Sequence, residues 1–113
     1  PTNAIVEPFV VKSDLCIAYH TIESREKTIP RKIKKNLNGW VAGCDICQEV
    51  CPWNKKFSKI TPEKSFYPRS KIIENTIADW QKLNEEEFRK IFKRSSVKRT
   101  KHTGLKRNIK NNL

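Results

Sequence analysis

The stretch Gly43-Cys44-Asp45-Ile46-Cys47-Gln48-Glu49-Val50-Cys51-Pro52-Trp53-Asn54 carries three of the chain's four cysteines, in the spacing C-x-x-C-x-x-x-C-P. Few arrangements leave so little freedom to the surrounding fold. The spacing equals the last three thiolates of the iron–sulfur run C-x-x-C-x-x-C-x-x-x-C-P, in which the cysteine before the proline ligates the other cluster of a pair. Read as one short helix, Cys44, Cys47 and Cys51 stand at i, i+3 and i+7 on a common face. Two thiolates then grip one cluster while the third points onward. Pro52 is expected to stop the helix at Cys51.

Two other uses of these cysteines are weighed against a cluster. A disulfide framework needs an oxidising compartment, and cysteines three apart on a helical turn rarely reach disulfide geometry. A structural zinc site suits four thiolates chemically, but zinc ribbons usually bring two C-x-x-C knuckles, and this chain has one. The remaining cysteine, Cys16, follows Ser13 and Asp14, which offer a helix start. The segment Cys16-Ile17-Ala18-Tyr19-His20-Thr21-Ile22-Glu23 is expected to be helical. Cys16 then lies near a helix N-terminus, where backbone amides favour a thiolate, and ligation is the expected use in a chain with a C-x-x-C downstream.

With 113 residues, of which 36% are hydrophobic, and a mean hydropathy of −0.72, a large independent core is not expected. A bound cluster would supply stability that packing does not, so its loss should loosen the fold. The formal net charge of +12 and pI near 9.8 point to an anionic partner, nucleic acid first and an anionic membrane surface next. No apolar run approaches membrane-spanning length and no signal-like segment is present, so the expectation is a soluble, cytoplasmic protein with no membrane partner. The chain opens at Pro1 and contains no methionine, which suggests a piece of a longer protein.

The pattern predicts a mainly α chain with little strand, divided into an iron–sulfur domain over residues 1–56 and a connector with a basic helical segment over 57–113. A short β-run is expected at Phe9-Val10-Val11. Residues 24–40 form a charged insertion, with the run Arg31-Lys32-Ile33-Lys34-Lys35 expected to face solvent. Ile29-Pro30 suits its helical start and Asn38-Gly39 its end. Trp40 and Val41 are expected to pack over the cluster. Beyond Trp53 the chain loses periodicity until two helical patterns, one through Ile77, Trp80 and Leu83 and one capped by Asn84 with Glu85, Glu86 and Glu87 in its first turn. Phe88, Ile91 and Phe92 give the second an apolar face. After Glu87 no acidic residue occurs, while Lys and Arg accumulate over 89–110 with Val97, Leu105 and Ile109 interleaved. Apolar residues that pack can hold such charges in a fixed array, and fixed arrays of Lys and Arg bind phosphate backbones. Lys98, Arg99, Lys101, Lys106 and Arg107 are the expected RNA-facing residues.

Taken together, C-I-A-Y-H-T-I-E at residues 16–23, G-C-D-I-C-Q-E-V-C-P-W-N at 43–54 and S-V-K-R-T-K-H-T-G-L-K-R-N at 96–108 make the chain resemble epoxyqueuosine reductase over essentially its whole length. That resemblance implies a small ferredoxin-like fold and a cobalamin-dependent enzyme with two 4Fe-4S clusters that reduces epoxyqueuosine to queuosine in tRNA, acting with an electron donor and expected as a monomer. It implies further that an N-terminal cobalamin-binding domain and a first motif C-x-x-C-x-x-C-x-x-x-C-P-T belong upstream, the present chain opening at the Pro-Thr of that motif. By the crossover of ligands between paired clusters, Cys16, Cys44 and Cys47 would serve one cluster and Cys51 the other. The general acid and most cobalamin contacts would lie outside this chain, so no catalytic residue is assigned within it, and the chain alone is expected to be inactive. Trp40, Val41, Ile46 and Val50 would form the wall that tunes the cluster potential. The competing readings are a stand-alone electron-transfer or zinc-stabilised RNA-binding module, and a corrinoid iron–sulfur reductase acting on small molecules.

Overall fold

A computed structural model describes residues 1–113. The molecule is a flat body of 42 × 38 × 21 Å built from short helices and one hairpin. In the hairpin, β1 (Ile5–Glu7) pairs antiparallel with β2 (Val10–Val11), Ile5 opposite Val11 and Glu7 opposite Val10, with an irregularity between. Pro8 fixes one corner of the turn, and Phe9 closes it in the left-handed region at φ 65° with its ring in solvent. The expected β-run is therefore present, but Phe9 turns the chain and does not pair.

Between the hairpin and the cysteine stretch the chain makes a 3-10 turn (Ser13–Leu15) and a π-helical turn (Tyr19–Glu23). Cys16 between them is extended, at φ −84° and ψ 124°. The insertion then departs from expectation. Its helix α1 (Arg31–Lys34) exposes Arg31, Lys32 and Lys34 but buries Ile33, and Ile29, Ile33 and Leu37, spaced four apart, join Ile17 in a core of their own. Ile33 lies within α1, Ile29 precedes it and Leu37 follows it, and all three turn inward, so the segment has a buried side and is not a solvated excursion. Asn38 at φ 48° and Gly39 at φ 86° end it as the sequence predicts.

The cysteine stretch forms α2 (Ile46–Val50) and α3 (Pro52–Phe57). After an irregular passage and a 3-10 turn (Lys64–Phe66) come α4 (Ser70–Glu74), α5 (Ile77–Lys82) and α6 (Glu85–Ile91). Two reciprocal capping boxes start the last pair: Thr76 with Asp79, and Asn84 with Glu87. Arg69 closes the other end of α6 by donating to the carbonyls of Ile91 at 2.5 Å and Lys93 at 2.7 Å. A 3-10 turn (Ser96–Thr100) leads into α7 (Lys101–Asn111).

A second core, Leu83, Phe88, Phe92, Leu105 and Ile109, joins α6 and α7, with Trp80 stacked on Phe92 at 5.9 Å between ring centroids. The fold is thus mainly helical with one two-stranded hairpin, as the sequence indicates. No helix is long and apolar enough to cross a membrane.

Candidate metal centre

Cysteine placement begins with glycine. Gly43 sits at φ 83°, where a residue with a Cβ would be strained, and its N–H donates to Thr21 Oγ1 at 3.1 Å. This turn brings Cys44 beside the segment that carries Cys16. Cys44 precedes α2 and Cys47 lies within it. Cys51 follows it, extended at φ −63° and ψ 120° because it stands before Pro52. The helix expected to span Cys44 to Cys51 is therefore shorter, α2 alone, with Cys44 ahead of it and Cys51 just past its end. Pro52 ends α2, as predicted, and also opens α3 as its first residue. Asn54 ties the two together, donating to Gln48 through the backbone carbonyl at 3.1 Å and the side-chain oxygen at 2.8 Å.

The thiols do not all share one pocket. Cys16, Cys44 and Cys47 line one pocket of about 210 Å³, whose other walls are Pro1, Thr2, Ala4, Ile5, Ile17, Ile46 and Val50. Cys51 is not among them. All four cysteines are free thiols. Burial pushes the Cys44 thiol pKa up, and the neighbouring Cys16, Cys47 and Asp45 add to the rise, against a lowering by the Ile46 backbone N–H. No three of the chain's His, Cys, Asp and Glu side chains converge closely enough to hold a single metal ion. Three thiols lining one mostly apolar pocket are a donor set that suits a thiolate-bound group.

Of the expected wall, Ile46 and Val50 line the pocket. Trp40 packs on the small core behind it, whereas Val41 packs on the second core. Residues not singled out in the sequence supply the rest, namely Pro1, Thr2, Ala4, Ile5 and Ile17. The alternation of small and aliphatic residues around Pro1 gave no periodicity by which to find them.

Helix α7 holds the cysteine segments in place through a buried polar node. Asn108, fully buried, donates through Nδ2 to the carbonyls of Thr21 at 2.7 Å and Val41 at 2.8 Å. Its Oδ1 accepts from the Arg107 guanidinium at 3.0 and 2.9 Å. Arg107 in turn donates to the carbonyls of His20 at 2.5 Å, Ser24 at 3.2 Å and Glu26 at 2.5 Å. One helical turn on, Asn112 bonds the Gly39 N–H at 3.0 Å and the Trp40 carbonyl at 3.1 Å. The segments reaching Cys16 and Cys44 are thus bolted to the same face of α7. Arg107 belongs to this bracing and does not project as a free cation.

The other expected RNA-facing residues divide. Arg99 pairs with Glu23 at 2.6 Å, and Lys106 Nζ donates to the Gln81 carbonyl. Lys98 and Lys101 are exposed, with no carboxylate partner.

Comparison with known proteins agrees with this geometry. The family described as the 4Fe-4S double cluster binding domain matches residues 1–54. The chain is 52% identical over 113 residues to an epoxyqueuosine reductase of Atelocyanobacterium thalassa, covering 100% of this chain and 37% of that protein. It is 47% identical over 113 residues to the epoxyqueuosine reductase of Synechocystis sp. strain PCC 6803, covering 39% of that protein. A crystal structure of epoxyqueuosine reductase with an epoxyqueuosine-modified tRNA-Tyr stem loop superposes with a TM-score of 0.88 at 25% identity, over 100% of this chain and 29% of that one. The chain spans little more than a third of the length of these relatives.

Proposed function

We propose that this chain, a homologue of epoxyqueuosine reductase over about a third of that enzyme's length, is the C-terminal iron–sulfur and tRNA-facing portion of such an enzyme. The observation that carries the reading is the pocket in which Cys16, Cys44 and Cys47 meet while Cys51 stands outside it. That is the division a paired-cluster site requires, with three thiolates for one cluster and the cysteine before proline directed to the other. When bound, 4Fe-4S clusters would supply one-electron transfer toward cobalamin, which the relatives' additional length would hold. The chain's own residues do three things. The thiolates of Cys16, Cys44 and Cys47 bind, Ile17 and Ile46 wall the sulfurs with apolar surface, and the Asn108 node fixes the spacing between the two cysteine segments. Residues 1–56 form the cluster-binding unit, and 57–113 form the connector and the helical support. The solvent-facing cations Lys98 and Lys101, with Arg99 beside them, position the tRNA backbone. No catalytic acid is assigned in this chain, which alone should not reduce epoxyqueuosine in tRNA.

The test is anaerobic reconstitution with iron and sulfide, followed by metal analysis and electron paramagnetic resonance. Cys16→Ser, Cys44→Ser and Cys47→Ser should each lower bound iron sharply, and Cys51→Ser should leave the signal of this centre in place. Stoichiometric zinc with no iron uptake would overturn the reading in favour of a zinc-stabilised binding module.

A further inference from the structure

Segment 24–34 and helix α7 face each other across a groove, and we propose that this groove binds the sugar–phosphate backbone of an RNA, with Lys27 and Lys34 on one wall and Lys106 and Lys110 on the other. The inference rests on the reading that the chain works on tRNA, and it adds a binding surface that Lys98 and Arg99 do not line.

The groove has a volume of about 680 Å³ and no acidic side chain in its lining. It continues into a second depression of about 270 Å³, which shares Lys27, Thr103 and Arg107 with it and adds Arg25 and Lys101, against one acid, Glu26. The ion pairs of the molecule are Arg89 with Glu85, Lys90 with Glu86 and Arg99 with Glu23, so none of the cations bordering the two depressions is paired with a carboxylate. Arg107 forms a positive floor that cannot swing away, because carbonyls of His20, Ser24 and Glu26 hold its guanidinium. Burial and the neighbouring Arg25 draw its pKa down, as expected where like charges crowd without a counterion. An anion relieves that crowding. A row of cations along two joined depressions suits a row of phosphates better than a single one.

The remaining lining chemistry distinguishes an RNA strand from a lipid surface. Thr28, Thr103, Gln81 and Asn111 offer hydrogen bonds to phosphate and ribose oxygens. Only Ile109 and Leu113 are apolar, and Ile109 belongs to the core. A surface that lies in a membrane needs a broad apolar face to sink into it, and two apolar side chains at the base of a concavity do not make one. The sequence concealed the site because its two walls lie some seventy residues apart, roughly the separation of Lys34 from Lys106. The basic run at 31–35 reads as a solvated face until burial of Ile33 fixes where Lys34 points.

The experiment titrates the reconstituted chain with a fluorescein-labelled tRNA anticodon stem loop at several KCl concentrations. Lys27→Glu, Lys34→Glu and Lys110→Glu should each weaken binding several-fold and reduce the salt slope by about one unit. A stem loop of scrambled sequence should respond alike, since backbone contacts carry no sequence information. Lys55→Glu and Lys56→Glu, on α3 away from the groove, should leave the slope unchanged. A wild-type slope in all three groove variants, with RNA still bound, overturns the groove alone. Failure of the unaltered chain to bind the stem loop overturns the tRNA reading with it, and binding to phosphatidylserine vesicles in place of RNA reassigns the surface and overturns the proposal. Lysine acetylation of the unaltered protein, read by mass spectrometry with and without RNA, tests the same point without substitutions. Protection of Lys27, Lys34 and Lys110 is expected, and equal labelling in both states overturns it.

Discussion

Around the cysteines, four aliphatic side chains, Ile17, Ile29, Ile33 and Leu37, are all that is fully buried and apolar, and the segments they hold are short turns. Around α6 and α7 the buried set is Leu83, Phe88, Phe92, Leu105 and Ile109, extended by a stacked Trp80 and started by two capping boxes. At about 1.5–3 kcal/mol for each large side chain fully buried, the second set is the more self-sufficient. The first also leaves large apolar groups mostly in solvent, among them Phe9, Val50 and Trp53. The contrast leads us to expect that the cysteine lobe depends on a group bound at its thiols and on the node that bolts it to α7, while the C-terminal lobe depends on its own interior.

The largest effect expected from that contrast is on cofactor removal. Stripping iron from the reconstituted chain with a chelator should raise amide exchange over residues 16–24 and 43–54, while the amides of 84–92 and 105–109 keep their protection. Hydrogen-exchange mass spectrometry checks this, and a uniform loss of protection would erase the distinction between the lobes.

Asn108→Ala sharpens the comparison at the junction. It removes the side-chain donor of the Val41 carbonyl, one of two donors to the Thr21 carbonyl and one acceptor of the Arg107 guanidinium, a cost of roughly 1–3 kcal/mol for weakened buried groups. Denaturant unfolding followed separately by tryptophan fluorescence and by release of iron should then show two transitions where the unaltered chain shows coincident ones. Coincident transitions in the variant would place the coupling elsewhere.

The smallest effect belongs within the C-terminal lobe. Asn84→Ala removes the acceptor for the Glu87 N–H, 2.9 Å away, and should cost about 1 kcal/mol. Thermal unfolding measures the loss, and the cluster signal should be unchanged because the cap lies in the lobe that does not bind it.

Local rules were legible wherever neighbours in sequence decide the structure. Asn84 and its three glutamates announced the start of α6, Pro52 announced the end of α2, and Asn38-Gly39 announced the end of the insertion. The spacing of Cys44, Cys47 and Cys51 named the chemistry before any coordinate did. How Cys16 comes to face Cys44 across twenty-eight positions was decided by tertiary structure, because the turn at Gly43 carries Cys44 across to the pocket that Cys16 also lines. The insertion was misread for a related reason. Charge density dominated its composition, while the spacing of Ile29, Ile33 and Leu37 acquires meaning only against Ile17. Charge itself was the least decidable feature. Arg107 and Lys98 look alike in the sequence, yet Arg107 turns inward to carbonyls of residues 20–26 and Lys98 stays in solvent. A guanidinium near the buried side of a helix finds carbonyls freed by a distant irregular turn, and no local pattern encodes where that turn will lie.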